Sequence, residues 1–332
     1  MDAKITKKRL SHLLSYDWLK IVGLIVVAII VWTLIFTMSA TRITAAQQFT
    51  VVNYKGNNSF SATFSKHLQK TLNEDVFSYE VIETTTVDLP GSGEYASTIL
   101  EARTSVAEGD VIFVADIEDT SVNYGEGEEK VYYTYLENFV RGYGYSLYNM
   151  DPASETSYFG EMKTYLNRYY TNGDYATGTL NEAQVRADFL ARIEKNKDKR
   201  FKKKEQIEQG VKDDIARVEK YAAALQEFYG YYEQKLILPT ETTVLNLETG
   251  EEVLKGIYSL NLCPATDPAS PMSKLTEIAS YERYYEEDGE TKHVTTAENM
   301  NVALFDFDEV EEGFQYESLL YINAVIRHAI SA

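Results

Sequence analysis

The chain has 332 residues, enough for a membrane anchor and about two ordinary domains. Its 32 Lys and Arg face 51 Asp and Glu, for a formal charge of −19 and a pI near 4.7. That balance argues against a nucleic-acid partner, which needs a basic face for phosphates. Hydrophobic residues at 44% and charged residues at 25% exclude wholesale disorder, and a single cysteine, Cys263, excludes a disulfide framework.

The charge is unevenly placed. Residues 1–38 carry Lys4, Lys7, Lys8, Arg9 and Lys20 against Asp2 and Asp17, a net of +3, so the remainder carries −22. Residues 1–20 read as a cytoplasmic basic tail. Ile21 to Met38 contains no charge; at 1.5 Å per residue it spans about 27 Å, close to the hydrocarbon thickness of a bilayer. Trp18 and Trp32, the only tryptophans, fall at or near this segment, and at least the first suits an interfacial anchor. The basic residues precede the segment, so the positive-inside rule puts the N-terminus in the cytoplasm and residues beyond 40 outside the plasma membrane. A cleaved signal peptide is the competing reading, but its apolar region is usually shorter. The expectation is therefore a single-pass signal anchor at 21–38 and a short stalk at 39–48.

Beyond the stalk, strand and helix patterns alternate. Phe49–Tyr54 is β-rich; Gly56-Asn57-Asn58-Ser59 breaks it, and Ser59 or Ser61 can cap a helix through Leu72. A second strand ends at Val87, Pro90-Gly91-Ser92-Gly93 turns the chain, and a helix follows with Tyr95, Ile99, Ala102 and Val106 on one face. Val111–Ala115 is apolar throughout, as in a strand covered on both faces. This order opens a doubly wound α/β lobe. Residues 124–180 are rich in tyrosine, with short helices near 131–140 and 157–171. Residues 181–236 read as a helical hairpin whose apolar positions 211, 215, 218, 222, 225, 229, 232 and 236 alternate by four and three. Intramolecular packing explains that seam more simply than a coiled-coil dimer. After Pro239 come a hairpin around 248–251, a strand over 257–263, a second hairpin at Asp288-Gly289, a strand over 301–307 and a closing helix over 314–330.

The passage Glu94–Ala102, followed by Val106-Ala107-Glu108-Gly109-Asp110-Val111-Ile112-Phe113-Val114, resembles extracellular solute-binding proteins of ABC importers. The resemblance covers residues 48–118 and is topological elsewhere. It implies a two-lobed, periplasmic-binding-protein-like fold: lobe one from 49–123 plus 257–332, and lobe two from 124–256. It also implies a small ligand, a sugar or oligosaccharide, handed to a transporter permease without catalysis. The chain departs from that family in its signal anchor, in lacking a lipidated cysteine, and in its 124–236 segment. A degenerate relative that binds no solute and acts as a scaffold or accessory subunit through 181–236 is the alternative.

In doubly wound sheets ligands sit beyond the carboxyl ends of the strands. The candidate ligand residues are therefore Asn57, Asn58 and Ser59 after strand one, Gly91 and Ser92 after strand two, Asp116 and Glu118 after strand three, and Tyr132. Helix capping and turn chemistry call for the same residue types. The 26 tyrosines suit sugar stacking, and equally a wet core that uses Tyr in place of Leu. Lys195 to Lys204 holds seven basic residues in ten, with Lys199, Arg200, Lys202 and Lys203 as candidate contacts to an acidic partner or to lipid headgroups. Asp306 to Glu312 is acidic but lacks calcium-loop spacing. The histidines show no metal spacing, and no nucleophile elbow or phosphate loop occurs, so neither enzyme chemistry nor a cofactor is expected.

Overall fold

The computed structural model describes residues 11, 18–39, 48–54, 76–77, 83–121, 123–125, 130–198, 200–264, 272–287, 289–307 and 313–330. The chain divides into two units, Met1–Thr44 and Ala45–Ala332. The first contains helix α1 (Trp18–Ser39), which begins three residues before the charge-free run. Its apolar side chains from Val22 to Phe36 are exposed, and over Trp18–Phe36 the mean hydropathy is 2.7, long and apolar enough to cross a bilayer or to serve as a signal sequence. The Thr33 hydroxyl donates to the Ile29 carbonyl at 2.8 Å, which satisfies the polar group inside the helix.

The second unit is built on one mixed six-stranded sheet. Its strands are β1 (Gln48–Asn53), β2 (Glu83–Asp88), β3 (Val111–Ala115), β4 (Leu238–Leu245), β5 (Glu252–Asn261) and β8 (Met300–Leu304). The order is β2-β1-β3-β8-β5-β4. β1 is parallel to β2 and β3, whereas β3–β8, β8–β5 and β5–β4 are antiparallel. β6 (Tyr281–Glu287) and β7 (Glu290–Thr296) form a separate two-stranded hairpin. The expected doubly wound pattern thus holds for the first three strands only. The expected boundary at 256/257 falls inside β5, so both proposed lobes contribute to the same sheet.

Side-chain alternation along the strands divides the core in two. Val111, Phe113 and Ala115 face one side with Phe49 and Val51, while Ile112 and Val114 face the other with Val52. On the second side lie α2 (Ala96–Thr104) and α3 (Tyr135–Tyr143), through Leu100, Leu136, Phe139 and Val140. A Thr134–Glu137 capping box starts α3: the Glu137 amide donates to Thr134 Oγ1, and the Thr134 amide to Glu137 Oε2. On the first side lie α4 (Tyr158–Asn167), α6 (Lys204–Glu233) and α7 (Glu317–Ile330). α5 (Glu182–Asn196) pairs with α6 to complete the predicted hairpin. The four-three seam of α6 is an internal one: Val211, Val218, Ala222 and Leu225 are buried.

Tyrosine is chiefly a core residue on this side. Tyr148, Tyr158, Tyr165, Tyr221, Tyr316 and Tyr321 are buried in one cluster. Several tips find partners: Tyr158 donates to the Gln315 carbonyl at 3.0 Å, and Tyr221 to Glu317 Oε1 at 2.7 Å. Phe159 and Phe228 stack at 4.1 Å and tie α4 to α6.

Asp110, just before β3, accepts from the Thr50 amide through Oδ2 at 2.7 Å. Burial raises its pKa to about 7, Glu108 and Glu317 add to the rise, and the Thr50 bond partly opposes it. Because the folded value lies above the unfolded one, the protonated form is favoured by folding. Its contribution is full below about pH 4 and is lost as pH rises through 7. The melting temperature should therefore fall between pH 5 and 8. Asp110→Asn, which keeps an acceptor for Thr50, should reduce that slope and raise melting at pH 8 by about 3 °C or more. An unchanged slope in the variant would remove Asp110 as its source.

Candidate functional site

The carboxyl ends of β1, β2 and β3 meet at one edge of the sheet. There Asn53 is fully buried, donates to Asp88 Oδ1 at 3.3 Å, and holds the Leu89 amide on its carbonyl at 3.0 Å; its own Oδ1 has no hydrogen-bond partner among the described residues. Ser92 caps the same turn, its hydroxyl donating to the Asp88 carbonyl at 3.0 Å and its amide to the Leu89 carbonyl at 2.9 Å. Gly91 lies in that 3-10 turn. Beyond β3, the Asp116 amide donates to the Asn299 carbonyl at 2.9 Å, and exposed Glu118 bridges Thr134. Half-buried Tyr132 lies in the segment that this bridge draws beside β3. Asn57, Asn58, Ser59 and Lys199 lie outside the described residues.

Side chains occupy this edge. Tyr54 packs against Phe139, with ring centroids 4.7 Å apart. Buried Asp119 accepts from the Asn138 amide nitrogen at 3.1 Å and from the Ser121 hydroxyl, and Asn138 in turn accepts from the Tyr124 hydroxyl at 3.1 Å. The Arg141 guanidinium lies 4.8 Å from the Tyr133 ring and donates to the Leu245 carbonyl. Burial, reinforced by Asp119, pushes the Tyr135 phenol up to about 12, and burial with Tyr143 and Asp119 nearby raises Tyr54 further. These phenols are neutral donors at physiological pH. Their roles are closure and orientation of the edge.

A second site lies in the helical hairpin. α5 and α6 are joined across their facing sides by Arg186 to Glu208, at 2.6 and 2.8 Å, and by Arg192 to Asp214, at 2.8 Å. The tip turns through Lys197 in the left-handed region, and Arg200 clamps Asp198 at 2.6 and 3.0 Å. Lys202 and Lys203 stay exposed, with their amides donating to Gln206 Oε1 at 3.2 and 2.9 Å. Of the predicted tip contacts, Arg200 thus turns inward and the two lysines face solvent. Below the tip is a cavity of about 530 Å³ walled by Phe189, Arg192, Arg200, Phe201, Arg217 and Phe314, with Asp198, Asp213 and Asp214 also lining it. Arg217 is 1% exposed, and its Nη2 stands 2.7 Å from the same Asp214 oxygen that Arg192 contacts. Its guanidinium lies 4.6 Å from the Phe314 ring.

Sequence reasoning passed over Arg192, Arg217 and Phe314. The available signal was a second stripe on α6 beside the apolar seam: Gly210, Asp214, Arg217, Tyr221, Ala224 and Phe228 repeat by four and three, and all are buried. Removing one member of a buried ion pair leaves the other charge uncompensated, at a cost of about 3–5 kcal/mol, whereas partly exposed pairs contribute under about 1 kcal/mol. Arg217→Ala should therefore destabilise by several kcal/mol in urea unfolding and Arg200→Gln by less than about 1 kcal/mol. Equal losses would show that Arg217 is not the buried centre of the hairpin.

Among the described residues, no group of His, Cys, Asp and Glu could hold a metal ion. No protein-family model matches the chain, and neither curated proteins nor solved structures give a match.

Proposed function

We propose that the chain is a single-pass, membrane-anchored extracytoplasmic protein that works by binding rather than catalysis, and that the 181–236 hairpin engages a membrane protein partner. The observation that carries this reading is the contrast between the two sites. Tyr54, Phe139 and the Asp119–Asn138–Tyr124 chain fill the carboxyl edge of the parallel strands, where an α/β protein ordinarily receives a small ligand. The hairpin instead presents exposed Lys202 and Lys203 from a chain that is acidic beyond its N-terminal segment. A basic tip on an acidic body suits an acidic patch on a neighbouring protein, and charge of this kind governs encounter and orientation.

A second reading has one observation in its favour. Asn53, with its unpartnered buried Oδ1 beside Asp88, resembles the polar groups that fix a ligand at the switch point of a sheet. On this reading the protein, built on its six-stranded sheet, presents a sugar or oligosaccharide to the permease of an ABC transporter.

The two readings separate by crosslinking in intact membranes. Lys202→Glu with Lys203→Glu changes only exposed side chains, so stability should stay within about 0.5 kcal/mol. The double variant should lose most of the crosslinked partner at the hairpin. Undiminished crosslinking, together with a saccharide that raises the melting temperature, would favour solute presentation.

A further inference from the structure

We propose that the cavity beneath the hairpin tip binds a small organic anion. Arg192, Arg200 and Arg217 hold its carboxylate or phosphate group, and Phe189, Phe201 and Phe314 hold its apolar body. The site does not depend on the membrane partner proposed above.

Four features carry the assignment. The volume of about 530 Å³ lies within the range of small-molecule sites, and the exposed lining residues Asn196 and Asp213 connect it to solvent. Second, three guanidinium groups converge on it from α5, the tip and α6. A guanidinium offers five donors in a planar fork that matches carboxylate and phosphate oxygens, so a cluster of three can take an anion alongside its own carboxylates. Third, the aromatic wall is built flush against the helix. A Cβ on Gly210 would come within 2.5 Å of Phe189 Cζ and 2.6 Å of Phe201 Cε1. A glycine inside a helix is less favourable than alanine, and here it lets both rings seat on the backbone of α6. Fourth, at low salt exposed Lys202 and Lys203 raise the local concentration of anions in front of the opening, an attraction that physiological salt screens.

The acidic lining sets the charge of the ligand. Asp214 contacts Arg192 and Arg217, Asp198 is clamped by Arg200, and Asp213 accepts from Gln209 at 2.8 Å. These three carboxylates equal the three guanidiniums in number, so the lining is formally neutral: an anion is held by guanidinium donors rather than by net charge, and a multivalent anion is repelled. The cavity is therefore matched to one anionic group on an apolar body, a description that an aryl or alkyl carboxylate and an aryl phosphate both meet.

The test is a thermal-shift and calorimetric titration of the full chain in detergent with benzoate, phenyl phosphate, acetate and inorganic phosphate. At about 10 mM, benzoate or phenyl phosphate should raise the melting temperature by about 2 °C or more, and acetate and inorganic phosphate by less. The tighter of the two aryl probes identifies the head group. Arg200→Gln should weaken binding by about fivefold or more, whereas Lys202→Gln with Lys203→Gln should leave it within about twofold at physiological salt. Phe201→Leu, which keeps an apolar wall, should weaken the aryl probes with little effect on folding and so stands in if Arg200→Gln unfolds. No shift with any probe on folded protein would overturn the proposal. So would an equal loss in the lysine variant, which would reduce the effect to surface attraction.

Discussion

Strand β3 is the constraint on which the second unit depends. It is buried on both faces and paired on both edges, parallel to β1 and antiparallel to β8. With only five residues it must send side chains alternately into two separate cores. A strand without a solvent face requires a helical layer on each side, and α2 with α3 supplies one while α4, α6 and α7 supply the other. Asp110 sits where β3 begins, and desolvation raises the pKa of its carboxyl at the entrance to this buried strand.

The deeper core is aromatic and carries polar tips. Tyrosine fills volume as phenylalanine would, but each buried hydroxyl must find an acceptor or remain costly. Tyr221 reaches Glu317 on α7, and Tyr158 reaches the Gln315 carbonyl just before that helix. Asn323 adds a bond from α7 to the Ala224 carbonyl on α6 at 2.8 Å. These directional contacts fix how α6 lies against α7, which apolar packing alone would leave freer to slide. The hairpin cavity inherits that rigidity, because Arg217 is one turn of α6 before Tyr221 and Phe314 lies three residues before α7.

The shift of interest from the strand ends to the hairpin follows from the same packing. The residues singled out after β2 and β3 do gather at one edge, but turn chemistry and strap pairing engage Ser92, Asp116 and Glu118 there. The aromatic groups nearest them stack on one another. In the hairpin, by contrast, charged groups line an open volume, and Arg200 contributes to it although its tip position suggested a solvated side chain.

Local physics made much of the chain legible from its residues. The uncharged apolar run, the uniformly apolar β3, the β6–β7 hairpin and the four-three seam of α6 each carry their own periodicity or length, and these form a helix, a strand, a strand pair and a buried seam as expected. Pairing across long separations has no such local signal. Val111 faces Leu304 and Leu260 faces Val302; period-two alternation says which side chains share a face but not which strand lies alongside. That is why a single continuous sheet emerges where two lobes were expected. The same holds for Arg217: on the sequence it is one charge beside an apolar seam. Only the packing of α5, α7 and Phe314 around it decides that the charge is buried, because desolvation is a property of neighbours brought from elsewhere in the chain.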